Sequence, residues 1–219
     1  MKKYELTAEF IEKWGKKLFR IKALISFGSV EAGELGGYVE KEDNLAQDGD
    51  AWVCDNARVC DNARVYGDAR VCGNAEVCDN ARVYGDARVC GNAEVCDNAR
   101  VYGDARVCGN AEVCDNARVY GDARVCGNAE VCGNADYLLI GRIGSRFSFT
   151  TFFKNKDKGI TVSCGCFLGT IAEFRAKVTD THGNNKHAKI YNLAADMAEL
   201  QILGEEHFDK LNTNKSEPF

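Results

Sequence analysis

The side chains best suited to chemistry lie outside the repetitive part of this chain. Cys164-Gly165-Cys166 sets two thiols two residues apart, and His182, His187 and His207 are the only histidines. Alternate residues of a strand point to one side, so both thiols are expected on a single face. Two thiolates with two imidazoles, Cys164, Cys166, His182 and His187, are a zinc-competent set, because Zn2+ takes four nitrogen or sulfur ligands tetrahedrally. The same residues also read as small strand residues, or as a reactive thiol. Thr181-His182-Gly183 reads equally as a helix end. No metal and no cofactor are assigned.

Ser145-Arg146 and Thr150-Thr151 stand in a polar, glycine-flanked stretch between apolar strands. Arginine with hydroxyl and backbone donors is how proteins hold phosphate or carboxylate. The alternative is a surface turn with a solvated arginine. The expected binding set is therefore Ser145, Arg146, Thr150, Thr151, Cys166 and His182, with no catalytic residue.

These groups must be positioned by what precedes them. Residues 53–136 repeat a six-residue unit, V-[YC]-[GD]-[DN]-A-[RE], and the block VYGDARVCGNAEVCDNAR at Val65 recurs at Val83 and Val101. A fixed short period sets the architecture before local propensity does. Apolar, polar, apolar, as in Ala63-Arg64-Val65, is strand periodicity, and the Gly-Asp, Gly-Asn or Asp-Asn pair after it is corner chemistry. A hexad too short to bury anything alone must stack on copies of itself.

The pattern resembles the hexapeptide-repeat proteins, aliphatic at the first position and small at the fifth. The resemblance implies a left-handed parallel β-helix, a triangular prism with three hexads per coil, and the eighteen-residue superperiod agrees. Many members of that family are acyltransferases with a histidine general base beside a coil. Here the coils contain no histidine, and a base must reach its proton directly or through one water. An acyltransferase-like enzyme is thus the alternative rather than the first reading.

The outward columns follow from the period. Arg64, Arg82, Arg100 and Arg118 stand beside Tyr66, Tyr84, Tyr102 and Tyr120, a secondary surface in which cation–π contact is expected to offset like-charge repulsion. A second face carries arginines from Arg70 to Arg124 beside cysteines from Cys72 to Cys126. A third carries glutamates from Glu76 to Glu130 beside cysteines from Cys78 to Cys132.

Residues 1–50 are expected to form a cap and first coil. Phe10-Ile11 and Leu18-Phe19-Arg20-Ile21 flank a Lys-Trp-Gly-Lys turn, which reads as a hairpin. Val39 and Leu45 already stand six apart. The opening Lys3–Thr7 and the stretch Ala32–Glu40 are similar to the start of prophage-encoded hexapeptide proteins. Residues 137–211 read as an α+β module: YLLIGRI, FSFTTFFKN and GITVSCGCF as strands, then two helices. Thr170 with Glu173 is a capping box and Gly183 a stop. The second helix carries a stripe of Ile190, Leu193, Ala194, Met197 and Leu200. This module resembles one found in phage and prophage proteins. Residues 212–219 are expected to be a disordered tail.

Net charge is −5, so nothing in bulk electrostatics favours nucleic acid. No apolar run is long enough to span a bilayer, and MKKYELTAEF lacks a signal-peptide core. The cytoplasm of a bacterial host is the expected compartment, and the ten repeat cysteines are expected to be free thiols. The fold class is mainly β: a left-handed parallel β-helix with an N-terminal β-hairpin cap and a C-terminal α+β unit of three strands and two helices. The expected function is a non-enzymatic phage or prophage binding protein, an inhibitor of a host defence factor. In it the β-helix is a rigid scaffold, dimeric or trimeric, and the C-terminal module recognises a host protein. A small anion or nucleotide is the alternative ligand.

Overall fold

Valine and alanine, at fixed places in each hexad, become the core of a parallel β-solenoid. The computed structural model describes residues 2–206, so the tail expected over 212–219 lies outside the described residues. Two compact units, Met1–Asn128 and Ala129–Phe219, divide the chain.

The first unit begins with a hairpin, β1 (Tyr4–Lys13) and β2 (Lys16–Ala23), followed by β3 (Leu35–Val39). Fourteen two-residue strands then recur along the chain, β4 to β17, from Trp52–Val53 to Glu130–Val131. Each valine pairs in parallel with the valine one coil on: Val65 with Val83, Val71 with Val89, Val77 with Val95. Three separate stacks result, so the cross-section has three faces. The repeat valines and alanines from Ala51 to Val125 are essentially fully buried. Backbone N–H groups donate to carbonyls of the next coil throughout, as from Arg64 to Ala81 at 2.9 Å. The ladder therefore satisfies the polar backbone that such short strands would otherwise expose.

The corners need left-handed backbone. Gly67 has φ +71, and a Cβ there would stand 3.0 Å from the Gly85 nitrogen. At another corner Asp79, Asp97 and Asp115 hold the equivalent position at φ 53 to 58. Aspartate tolerates this region better than most residues. Its carboxylate also accepts from the neighbouring coil: Asp115 N–H donates to Asp97 Oδ2 at 3.2 Å. Asparagine amides form a further ladder, Asn74 to Asn92 to Asn110, at 3.1 Å per step.

The first coil is two residues longer than the rest. Val39 pairs with Val59 and Leu45 with Val65, twenty positions on, whereas Val53 pairs with Val71, eighteen on. Lys3 anchors the surplus. Its ammonium donates to the carbonyls of Asp48, Gly49 and Ala51 at 3.3, 3.1 and 2.9 Å, and Gln47 Oε1 accepts from the Lys3 N–H at 2.8 Å. Burial pushes the Lys3 pKa down, against the pull of Asp48, Asp50 and Asp68.

The expected hairpin is present and does more than close an end. β2 pairs with β3, which pairs with Arg58–Val59, so the hairpin prolongs the third face. Leu18 packs on Tyr38 and Cys60, with Ile11 and Cys78 beside them. Lys13 pairs with Glu76 and Lys16 with Asp61. Arg58 also holds Glu76 at 2.7 Å, which neutralises the first glutamate of its column.

Two expectations about the columns are corrected. The cysteines are not all free: Cys54–Cys72 and Cys108–Cys126 are disulfides. In-register stacking brings their Cα atoms to 4.7 and 4.5 Å, inside the range a disulfide spans. Nor are these positions uniformly outward, since Cys60 and Cys114 are buried. On the first face the tyrosines stack on each other, at 4.8 and 5.0 Å from Tyr66 to Tyr102, with planes within 3°. Ring-on-ring stacking, not arginine over tyrosine, is the contact made by Tyr66, Tyr84 and Tyr102.

The second unit is an antiparallel sheet with two helices. Its strands are β18 (Tyr137–Ile143), β19 (Ser148–Lys154), β20 (Ile160–Cys164) and β21 (Phe167–Thr170), paired in that order. Four strands replace the three expected, because GITVSCGCF is a hairpin rather than one strand. Gly165, at φ +61, turns the chain between Cys164 and Phe167. Helix α1 (Ile171–His182) begins at the expected capping box, where Thr170 Oγ1 accepts from Glu173 N–H. Helix α2 (Lys186–Leu203) is capped by Asn185, whose side chain accepts from His187 and Ala188 N–H. Arg175 ties the helices together, 2.8 Å from Asp196 and 2.7 Å from buried Glu199.

Of the expected α2 stripe, Ala194 is buried and Ile190 partly so, but its three largest other members face outward. Ala188, Tyr191, Ala195 and Ala198 are buried, while Leu193, Met197 and Leu200 are 63%, 58% and 45% exposed. Alanines let the helix backbone approach its neighbours closely, with Tyr191 filling the remaining space against Phe174 at 5.6 Å.

Candidate functional site

A pocket of about 240 Å3 opens in the second unit, where the hairpin turns of the sheet meet α1 and α2. The turn after β18 supplies Ser145 and Arg146, and the β20–β21 turn supplies Cys164 and Cys166. From α1 come Lys177 and His182, and from α2 comes Tyr191. Apolar walls are made by Phe167, Phe174 and Val178.

Local geometry explains the placement. Gly144 is left-handed at φ +73, and a Cβ there would lie 1.8 Å from the Tyr191 hydroxyl. Only glycine lets the turn close against that tyrosine. Gly165 is also left-handed, at φ +61, which favours glycine in the turn that carries Cys164 and Cys166. His182 stacks on Tyr191 at 5.8 Å and 26°. Burial, helped by the Cys164 thiol, pushes the Tyr191 hydroxyl up to about 12, so it stays a neutral donor at physiological pH. The pocket thus combines two permanent cations, an imidazole and a phenol with an apolar wall. That arrangement suits a small anion, although Lys177 is shared with Asp180, whose Oδ2 accepts from its ammonium at 3.2 Å.

Of the residues expected from sequence, Ser145, Arg146, Cys166 and His182 line this pocket together. Thr150 and Thr151 do not. Both are buried on β19, paired with Cys164 and Ser163, and Thr150 Oγ1 donates to Cys164 Sγ at 3.2 Å. The stretch between Ser148 and Lys154 is a strand facing the core, so its hydroxyls are consumed internally. Cys164, Cys166, His182 and His187 do not converge either. Among the described residues, no three of their ligand atoms lie within 4.8 Å of one another. The turn at Gly165 breaks the alternation that would have aligned the two thiols. Lys177 and Tyr191 were missed by sequence reasoning. Lys177 follows Phe174 by three on α1, and that helical spacing was the available signal.

The first unit has a larger concavity, about 410 Å3, beside Arg64, Tyr66 and Arg82 at the first coil. No described helix is long and apolar enough to cross a membrane. No curated protein matches the sequence. Residues 51–67, 57–73, 75–91, 93–109 and 111–127 each match the family model described as YdcK beta solenoid repeat. These matches coincide with the stacked coils, and on both grounds the chain is a β-helix repeat protein.

Proposed function

We propose that this is a non-enzymatic binding protein. The solenoid is its rigid scaffold, and the pocket of the second unit takes a small anion carrying a short apolar group. The observation that carries the reading is the convergence of Arg146, Lys177 and His182 on one cavity walled by Phe167, Phe174 and Val178. Charge-assisted donors fix the anion, and the wall gives it a dry surface. Calorimetric titration with butyl phosphate tests this. Saturable binding by the full chain, weakened about ten-fold in Arg146→Gln, is expected for loss of one charged hydrogen bond. Absence of binding, or unchanged affinity in that variant, contradicts it. The phage or prophage setting, the host compartment and a host-protein target rest on the resemblance of Lys3–Thr7, Ala32–Glu40 and the C-terminal module.

A second reading is self-association through α2. Ile190, Leu193, Met197 and Leu200 follow the three-four spacing of a coiled-coil seam. The stripe is symmetric about its centre, so an antiparallel copy would set Ile190 against Leu200 and Leu193 against Met197. Sedimentation should show a dimer that Met197→Lys converts to monomer. A monomeric wild type removes the reading.

A further inference from the structure

The tyrosine ladder stops one ring short. Tyr66, Tyr84, Tyr102 and Tyr120 stack at 4.8, 5.0 and 5.4 Å. The backbone continues the same pattern one coil earlier. Tyr84 N–H donates to Val101 and Tyr66 N–H to Val83, and Ala46 N–H donates to Val65 at 2.9 Å. The bridge between Leu45 and Val65 confirms the register. Ala46 therefore holds the ladder position in the longer first coil, but brings no ring to it. The outer face of Tyr66 is bare: among the described residues, its one ring partner is Tyr84.

The space left by the missing ring is the concavity of about 410 Å3, lined by Ala46, Tyr66, Arg64, Arg82, Glu42 and Asp43. Arg64 and Arg82 are exposed on adjacent coils and have no ion-pair partner among the described residues. Glu42 is paired with Lys2 at 2.7 Å. Asp43 is left as an exposed carboxylate able to accept N–H donors.

We propose that this gap in the ladder is a mononucleotide site. A nucleobase would take the place of the absent fifth ring, stacked on Tyr66. Its phosphate would lie between Arg64 and Arg82, and its exocyclic amine would donate to Asp43. Each part of the assignment excludes a simpler ligand. Two exposed arginines alone hold a bare anion weakly, because solvent screens the pair. A base adds the stacking that makes the site selective. A nucleic-acid strand is disfavoured, because the remaining tyrosines already stack on one another and offer no gap for further bases. The pocket of the second unit plays no part in this assignment.

Calorimetry on the full chain with AMP, and with ribose 5-phosphate in its place, tests the proposal. AMP should bind saturably, and ribose 5-phosphate at least about ten-fold more weakly, the effect of removing one stacked base. Ala46→Tyr extends the ladder and should abolish AMP binding while the circular dichroism spectrum is unchanged. Should that variant not fold, Tyr66→Leu removes the aromatic face without filling the gap, and should weaken AMP about ten-fold. Arg64→Gln should weaken AMP but leave ribose 5-phosphate weak. Arg100→Gln, one coil beyond the lining residues, should bind as wild type. No saturable AMP binding overturns the proposal. So does equal affinity for ribose 5-phosphate, which would mean a bare anion contact. AMP binding that survives both Ala46→Tyr and Tyr66→Leu, or that is lost in Arg146→Gln, also overturns it, and the latter places the nucleotide in the second unit.

Discussion

The solenoid and the α+β unit hold themselves together in opposite ways, and the difference bears on where binding can occur. In the first, one valine and one alanine per hexad are buried identically coil after coil. Identical residues in register produce columns: a tyrosine ladder, an asparagine ladder, an arginine row. A column presents one kind of group many times, and a site needs several kinds at one place. In the second unit no residue repeats its neighbour's role. Phe174 touches Phe152, Phe167 and Tyr191 at 5.6 to 5.7 Å, and polar groups from two turns and two helices line the same pocket. The solenoid acquires a concavity of mixed chemistry where its repeat is broken, at the two-residue surplus of the first coil.

The contrast can be broken first by a charge in the repeat. Val95 is fully buried with valines above and below it. Val95→Asp should cost about 5 kcal/mol or abolish folding, since a buried carboxylate finds no partner there. Urea denaturation of the full chain reads this directly. Phe174→Ala should cost about 3–5 kcal/mol, the usual range for a large aromatic lost from a core. It should also remove butyl phosphate binding, because it deletes a wall of the pocket. Gly144→Ala should cost about 2 kcal/mol through overpacking against Tyr191 and a left-handed backbone. Its sharper readout is weaker binding with the solenoid unaffected.

Smaller effects sharpen the account of the first coil. Lys3→Met should lower stability by about 1–2 kcal/mol, because three carbonyls lose their donor while the desolvated charge is relieved. The smallest effect is the Lys16–Asp61 pair, both partly exposed, and it should have a pH signature. The hydrogen bond from Lys16 lowers the Asp61 pKa from 3.8, and the same bond raises the Lys16 pKa from 10.5. Asp61 therefore contributes stability above its unfolded value that is lost as pH falls through the depressed folded value. Lys16 contributes below its unfolded value and loses it as pH rises through the raised one. The difference in urea midpoint between wild type and Asp61→Asn should be flat from about pH 5 to about pH 9 and shrink outside that window.

The parts legible in the sequence are those fixed by local rules. The hexad spacing gave coils and columns, Trp14-Gly15 gave the hairpin turn, and Thr170 with Glu173 gave the start of α1. Long-range choices were not legible. Gly165 reads as a strand residue until pairing shows it turning the chain. Hydrophobicity selects Leu193, Met197 and Leu200 as the buried face of α2, but close packing selects the alanines on the other side. Thr150 and Thr151 look available for binding, although FSFTTFFKN reads as a strand, because their burial depends on partners fourteen and twelve positions away. The pocket was half legible: Arg146, Cys166 and His182 stood out by type, while Lys177 and Tyr191 needed the helices to be placed.

The central claim is that recognition of the small anion resides in the non-periodic unit. The most direct test is amide chemical-shift mapping of the full labelled chain during titration with butyl phosphate, a probe with no ring to enter the tyrosine ladder. The account predicts the largest shifts at Arg146, Gly165, Cys166, Lys177 and His182, with the rungs from Val71 to Val107 unmoved. Shifts confined to the solenoid arginines, or none anywhere, would contradict it.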